Sequence, residues 1–325
     1  MRKIVEKLGV LVLFGSSLMA LDVPKNHIVD DNWLKSNIND ANLVIVDMRK
    51  EGYDKGHISG AVHWKKDDFR EGRYYNKLSD RSSAIPGYMA APLSIKRTMR
   101  KSGVNNDSAI VFYSGGTKAK DFRDSALAVM TSEYYGFDNV AILDGGFAGW
   151  EKASGSVDKN KSEVTKGNFS FEGRKFNQNV VATGEDIDEA VVTGAYQTVD
   201  TNGKQEKTKD LPKGSHWYGT AHDPRRLKEG HLPNAKAMHI RVLAKEKDGV
   251  YYLANKDQVL KEYEKAGIDP NKPVIWYCNT GHLVAGAWFV AQNIIGMKDA
   301  DNRGYSGSMA EYTRWPKRRL IKGDE

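Results

Sequence analysis

The chain has 325 residues, 40% hydrophobic and 28% charged, which supplies enough apolar material for two modest cores and excludes a disordered or fibrous class. Its formal charge of +7 is spread along the chain apart from a basic ending, "RWPKRRLIK". No recognition motif or basic–aromatic interleaving accompanies that ending, so the expectation is no nucleic acid partner.

The first element is a leader. "MRKIVEK" is basic, with Arg2, Lys3 and Lys7 against Glu6, and "LGVLVLFGSSLMA" is an apolar run with small residues near its end. This reads as a secretory signal peptide over residues 1–20, cut after Ala20, although Leu18 is a poor small-residue match. The alternative is an uncleaved anchor. The run is short for a membrane span, and nothing later reaches about 18 uninterrupted apolar residues. No cysteine follows the run, so a lipoprotein anchor is excluded. The expectation is a soluble periplasmic or secreted protein, with no stable membrane span in the mature form.

About 305 residues then remain, a length that suggests two domains. "LVIVD" and "AIVFY" are short apolar runs of the kind that form buried parallel strands. "KDFRDSALAVMTSEYYG" has helical spacing at Phe122, Ala126, Leu127 and Met130 and ends at Gly136. "DNVAIL" is another strand, and "GGFAGW" a turn into a helix. Residues 151–170 are polar and rich in Ser, Lys and Gly, which marks a linker, taken as 156–170 between domains 21–155 and 171–325. The second half repeats the first. Val46-Asp47 lines up with Val199-Asp200, Gly56-His57 with Gly230-His231, and Tyr113-Ser114 with Tyr277-Cys278. Leu143-Asp144-Gly145 pairs with Tyr305-Ser306-Gly307, and four ordered matches indicate duplication. Strand, tight loop, helix, strand is the pattern of an open α/β sheet, whose ligands bind at the carboxyl ends of strands.

Cys278, the single cysteine, falls there, between the strand "VIWY" and the helix "HLVAGAWFVAQNIIG". A lone thiol in an exported chain is inert, an intermolecular crosslinker, or a nucleophile. An inert one belongs inside the strand or on the buried helix face. In the turn, converging backbone N–H groups and the helix dipole favour thiolate, the reactive form. Gly281 lets the chain turn tightly. The placement points to a nucleophile.

The ordered pattern, with "YCNTG", "LDGGFAGW" and "YSGSMAEYTRWP", resembles the tandem-domain rhodaneses (thiosulfate and mercaptopyruvate sulfurtransferases) from about residue 26 to 318. That resemblance implies, in each domain, a five-stranded parallel sheet flanked by helices on both faces. It also implies a catalytic second domain and a supporting first one, in agreement with Ser114 at the cysteine position. Cys278 would take sulfur from thiosulfate, mercaptopyruvate or polysulfide as a persulfide. A thiophilic acceptor, a small molecule or an acceptor protein, would then collect it, with no cofactor beyond the persulfide. Asn279, Thr280, Gly281, His282 and Leu283 would cradle that sulfur. The alternative is a non-catalytic sulfur carrier or docking module of the same fold. Related phosphatases need arginine at the sixth position after the cysteine; Val284 stands there.

Three departures from the family pattern matter. Its loops often carry arginine or lysine beside the cysteine, whereas this one has Asn279, Thr280 and His282. His282 either supplies a switchable charge or faces water at a helix start. Asp47-Met48-Arg49 becomes Asp200-Thr201-Asn202 in the second half, so the arginine is missing. Arg225 or Arg226, in the segment inserted before Gly230, either replaces it and binds an anionic donor or is a plain surface residue. Asp200 is expected to orient the loop near Cys278. His216, His222, His231 and His239 match no common zinc spacing, so no metal site is expected, and His57 and His231 are read as fixing turns.

Overall fold

Two sets of short β-branched runs become two sheets with one topology. The computed structural model describes residues 20–74, 84–204, 215–220, 223 and 225–324; the leader up to residue 19, and His222, lie outside them. In the first sheet the strands are β1 (Ile28–Val29), β2 (Leu43–Asp47), β3 (Val62–His63), β4 (Ala109–Tyr113) and β5 (Val140–Leu143). In the second they are β6 (Val181–Ala182), β7 (Gln197–Asp200), β8 (Lys236–Ala237), β9 (Val274–Tyr277) and β10 (Asn302–Tyr305). The orders are β1-β5-β4-β2-β3 and β6-β10-β9-β7-β8, with every pairing parallel. Even the register repeats, with Asp47 opposite Tyr113 and Asp200 opposite Tyr277. Central strands β4 and β9 are buried along their whole length, as expected where helices cover both faces of a sheet.

The helix Phe122–Tyr134 follows β4, as its spacing predicts, but it is buried all round from Ser125 to Glu133. It packs against the helix Val284–Val290 of the second half, so the side that would otherwise meet water meets the other domain. One apolar cluster accordingly holds Phe112 and Met130 together with Trp276 and Val284. The second helix starts at Val284 rather than His282, because Gly281, at φ +77°, and the turn after it use up the two intervening residues. A π-helical turn, Ala291–Ile295, continues it.

Each domain also lays an antiparallel hairpin on the other. From the second, Ala244–Lys247 pairs with Val250–Leu253, and its Tyr251 N–H donates to the Gly116 carbonyl at 2.8 Å. From the first, Arg70–Tyr74 pairs with Ala84–Met89 and reaches the Cys278 loop. The stretch 156–170 joins the two sheets along the first domain: Val157–Asp158 pairs with His57–Ile58, and Phe169 is fully buried. Among the described residues no helix is long and apolar enough to cross a membrane.

Candidate active site

Strand β9 ends at Tyr277 and delivers Cys278 into the turn at the carboxyl edge of the sheet, where the sequence places it. The thiol-bearing residue is 2% exposed. Its backbone N–H donates to Ser308 Oγ at 3.2 Å, and its carbonyl accepts from Met309 N–H at 3.1 Å. Ser308 sits at φ +47°, a conformation a serine adopts at a cost, and donates its own hydroxyl to the Tyr305 carbonyl at 2.7 Å. The loop therefore holds the cysteine backbone rigidly. Beyond it, the backbone N–H groups of Asn279 through Leu283 meet no acceptor among the described residues. A run of unpaired donors next to a sulfur is a cradle for an anion. Gly281 makes it possible, since a Cβ there would lie 2.1 Å from the Ser306 carbonyl oxygen.

A hydrogen-bonded chain supports the loop from the second sheet. Asp200, buried at the end of β7, accepts from the backbone N–H of Asn202 at 2.9 Å and from its side-chain amide at 2.8 Å. Burial raises the carboxyl's pKa, against these bonds and the nearby charge of Arg226. Asn202 reaches Asn279 Oδ1 at 3.4 Å, which also accepts from Arg226 Nη1 at 3.0 Å. Asn279 in turn donates to Asp223 Oδ2 at 3.3 Å. Arg226 is fully buried and donates to the Gly230 carbonyl. In the first domain Arg49 makes the matching bond to the Gly56 carbonyl at 2.6 Å while paired with Asp47. Arg226 thus fills the place of the arginine missing after Asp200. Its neighbour Arg225 is held by Asp223 at 2.8 Å and is about half exposed, and that bond chiefly raises its pKa. The two adjacent arginines divide into one structural and one presented group.

The first domain supplies the rest. His282 does not face water: its side chain is 12% exposed, and Nε2 lies 2.5 Å from Asp124 Oδ1 on the first domain's helix. Burial lowers the histidine's pKa against the pull of that carboxylate. For Asp124 burial acts upward, but His282 and Arg123 outweigh it and hold the carboxyl below its ordinary range. On the other side Arg70 donates to the Thr280 carbonyl and to the Gly87 carbonyl, and Ser306 Oγ donates to Gly87 at 3.1 Å. Arg70, Asp124 and Asp223 were not singled out in the sequence. Only Asp223, in "HDPRR", had a local signal.

The corresponding place in the first domain is closed. Ser114 bonds Ser125 Oγ at 2.6 Å, and the second domain's hairpin covers it, Leu253 N–H donating to Asp144 at 2.8 Å. The remaining cavity is about 20 Å³, room for one water. The histidines are individually engaged. His216 lies 2.7 Å from Glu229, His231 stacks on Trp217 at 3.5 Å, and His239 accepts from Arg241 N–H at 3.1 Å.

The rhodanese-like domain matches the chain twice, over residues 30–153 and 185–314. A Mycolicibacterium smegmatis protein bearing a thiosulfate sulfurtransferase name is 26% identical over 298 residues, covering 88% of this chain and 94% of its own. The 3-mercaptopyruvate sulfurtransferase of Escherichia coli K12 is 25% identical over 269 residues, covering 79% and 85%. The crystal structure of SseA from E. coli superposes with a TM-score of 0.65 at 23% identity, over 87% of this chain and 98% of that one.

Proposed function

The chain belongs to the rhodanese-like family as a tandem of two such domains, and from that premise we propose that it is a sulfurtransferase acting through Cys278. The observation that carries this reading is the cysteine at the sheet edge beside a row of unpaired backbone donors, Asn279 to Leu283. The thiolate attacks the outer sulfur of a small anionic donor: thiosulfate, mercaptopyruvate or polysulfide. With thiosulfate, a new S–S bond forms, the donor's S–S bond breaks, and sulfite leaves with the electron pair. The terminal sulfur of the persulfide is then an anion, and the loop N–H groups receive it. A nucleophilic acceptor such as cyanide takes that sulfur and returns the thiolate. No electron carrier is needed, so the covalent persulfide is the only intermediate group required. Arg225, presented beside the loop, receives the donor's charged end, while Arg226 and Asp200 hold Asn279 in place. Incubation with each donor should add one sulfur atom's mass to Cys278, and cyanide should release it as thiocyanate. Mass gain without turnover on any acceptor would favour the carrier reading, and full activity in Cys278→Ala would refute the assignment.

The basic, apolar start of the chain supports export with cleavage after Ala20. Amino-terminal sequencing of the protein from fractionated cells checks this; an intact leader on cytoplasmic protein would contradict it.

A further inference from the structure

The Cys278 loop has no arginine or lysine between Cys278 and Leu283, although the donors just proposed are anions. The first domain brings one from 208 to 213 positions away in the chain. Arg70 opens the hairpin Arg70–Tyr74/Ala84–Met89, and its Nη2 donates to the Thr280 carbonyl within the cradle. The guanidinium is also fixed from behind, with Nε and Nη2 donating to the Gly87 carbonyl at 3.2 and 3.1 Å. Gly87 itself presses so closely on the loop that a Cβ would fall 2.2 Å from the Thr280 oxygen. Ser306 fastens the same glycine from the second domain. Two carbonyls, those of Gly87 and Thr280, thus hold one guanidinium in a single orientation, and its Nη1 donors have no acceptor among the described residues. A planar fork locked on one side and free on the other is suited to an oxyanion or carboxylate.

We propose that Arg70 is the anion anchor of the Cys278 site, a donor-selecting residue supplied by the other domain in place of the cation the loop lacks. This deepens the sulfurtransferase reading by naming what selects an anionic donor. Charge interaction with the Cys278 sulfur, which works against the effect of burial on Arg70, is consistent with that proximity. Arg225 and Arg70 then approach the sulfur from different domains, one half exposed and paired with Asp223, the other held by two backbone carbonyls.

The test is alkylation of Cys278 in the full chain by iodoacetate and by iodoacetamide, reagents that differ in charge. Arg70→Met should lower the iodoacetate-to-iodoacetamide rate ratio about tenfold at low salt and raise KM for thiosulfate by a similar factor. Arg70→Lys should keep most of the ratio. A clamp that merely shapes the loop would slow both reagents equally, and an unchanged ratio overturns the proposal. Should Arg70→Met fail to fold, the ratio in Arg225→Met decides: it must stay elevated and salt-sensitive, and its complete loss assigns the charge to Arg225 alone. A thiol closed to both reagents also overturns it, because a donor could not reach the sulfur. Alkylation needs no sulfur transfer, so a protein without turnover but with the Arg70-dependent ratio refutes the enzyme reading and leaves the anchor standing.

Discussion

His282 Nε2 and Asp124 Oδ1 are 2.5 Å apart across the boundary between the domains. This single bond fixes the far end of the Cys278 loop to the helix Phe122–Tyr134, as Arg70 fixes its middle. The loop is therefore held from the first domain as well as from its own sheet.

The His282–Asp124 pair predicts acid sensitivity. His282 has a lowered pKa, so the unfolded chain binds its proton more readily, and stability falls as pH drops below about 6.5. The carboxyl of Asp124 is also held low, so its contribution is present above about 3.9 and is lost as pH falls through its folded value. Thermal melting of the wild type should therefore decline on acidification. In Asp124→Asn the carboxylate part of that decline should vanish; superimposable pH profiles would show that the bond does not contribute.

Arg225 and Arg226 should separate cleanly. Arg226→Met takes a buried charged donor from Asn279 Oδ1 and from the Gly230 carbonyl and should cost about 2–4 kcal/mol in denaturant unfolding. Arg225→Met should cost less, about 1 kcal/mol, because Asp223 keeps the residue-225 N–H and the Asn279 amide. That variant should instead raise KM for an anionic donor roughly tenfold with little change in kcat. Equal stability losses in both variants would contradict the division.

Gly281→Ala should damage the cradle. The residue lies at φ +77° with the Ser306 carbonyl 2.1 Å from any Cβ, so the backbone must shift. We expect a loss of about 1–3 kcal/mol in stability and about 100-fold in turnover. Near wild-type turnover would mean that the N–H geometry of the loop is dispensable.

Glu133 predicts an alkaline liability at the domain interface. Burial, with Asp299 nearby, pushes its carboxyl up to about 8, while one oxygen accepts from Gln292 at 2.8 Å and the other has no hydrogen-bond partner. The folded state thus holds a proton that the unfolded chain releases near 4.3, and stability falls as pH rises from there through 8. Glu133→Gln should raise stability above pH 8 by roughly 1–4 kcal/mol and change it little at pH 5. A gain of the same size at both pH values would refer the effect to packing.

What could be read beforehand follows from the range of each interaction. Strands β2, β4, β7 and β9 and the position of Cys278 follow from local apolar runs and from the repeat. Asp200, Asn279, Arg225 and Arg226 were identified by their place near a strand end or beside a motif, and they fall in one network. Arg70 and Asp124 carry no such mark. They meet the loop across 210 and 158 positions, through surfaces that exist only after both sheets have formed. Of the two readings of His282, the water-facing one falls for the same reason, since the carboxylate that removes it from water belongs to the other domain.

The mutual hairpins give the cysteine-less half a reason to persist. A chain consisting of the second domain alone would carry Cys278, β9 and the turn, yet without Arg70, Gly87 and Asp124 its loop would stand half-built. During synthesis the first domain emerges first, and residue 70 must wait for residue 280 before either is useful. The surroundings of Cys278 are thereby completed last, when the two halves dock. Deleting the first copy would strip the Cys278 loop of two of its supports, and so the duplication, once made, is hard to reverse.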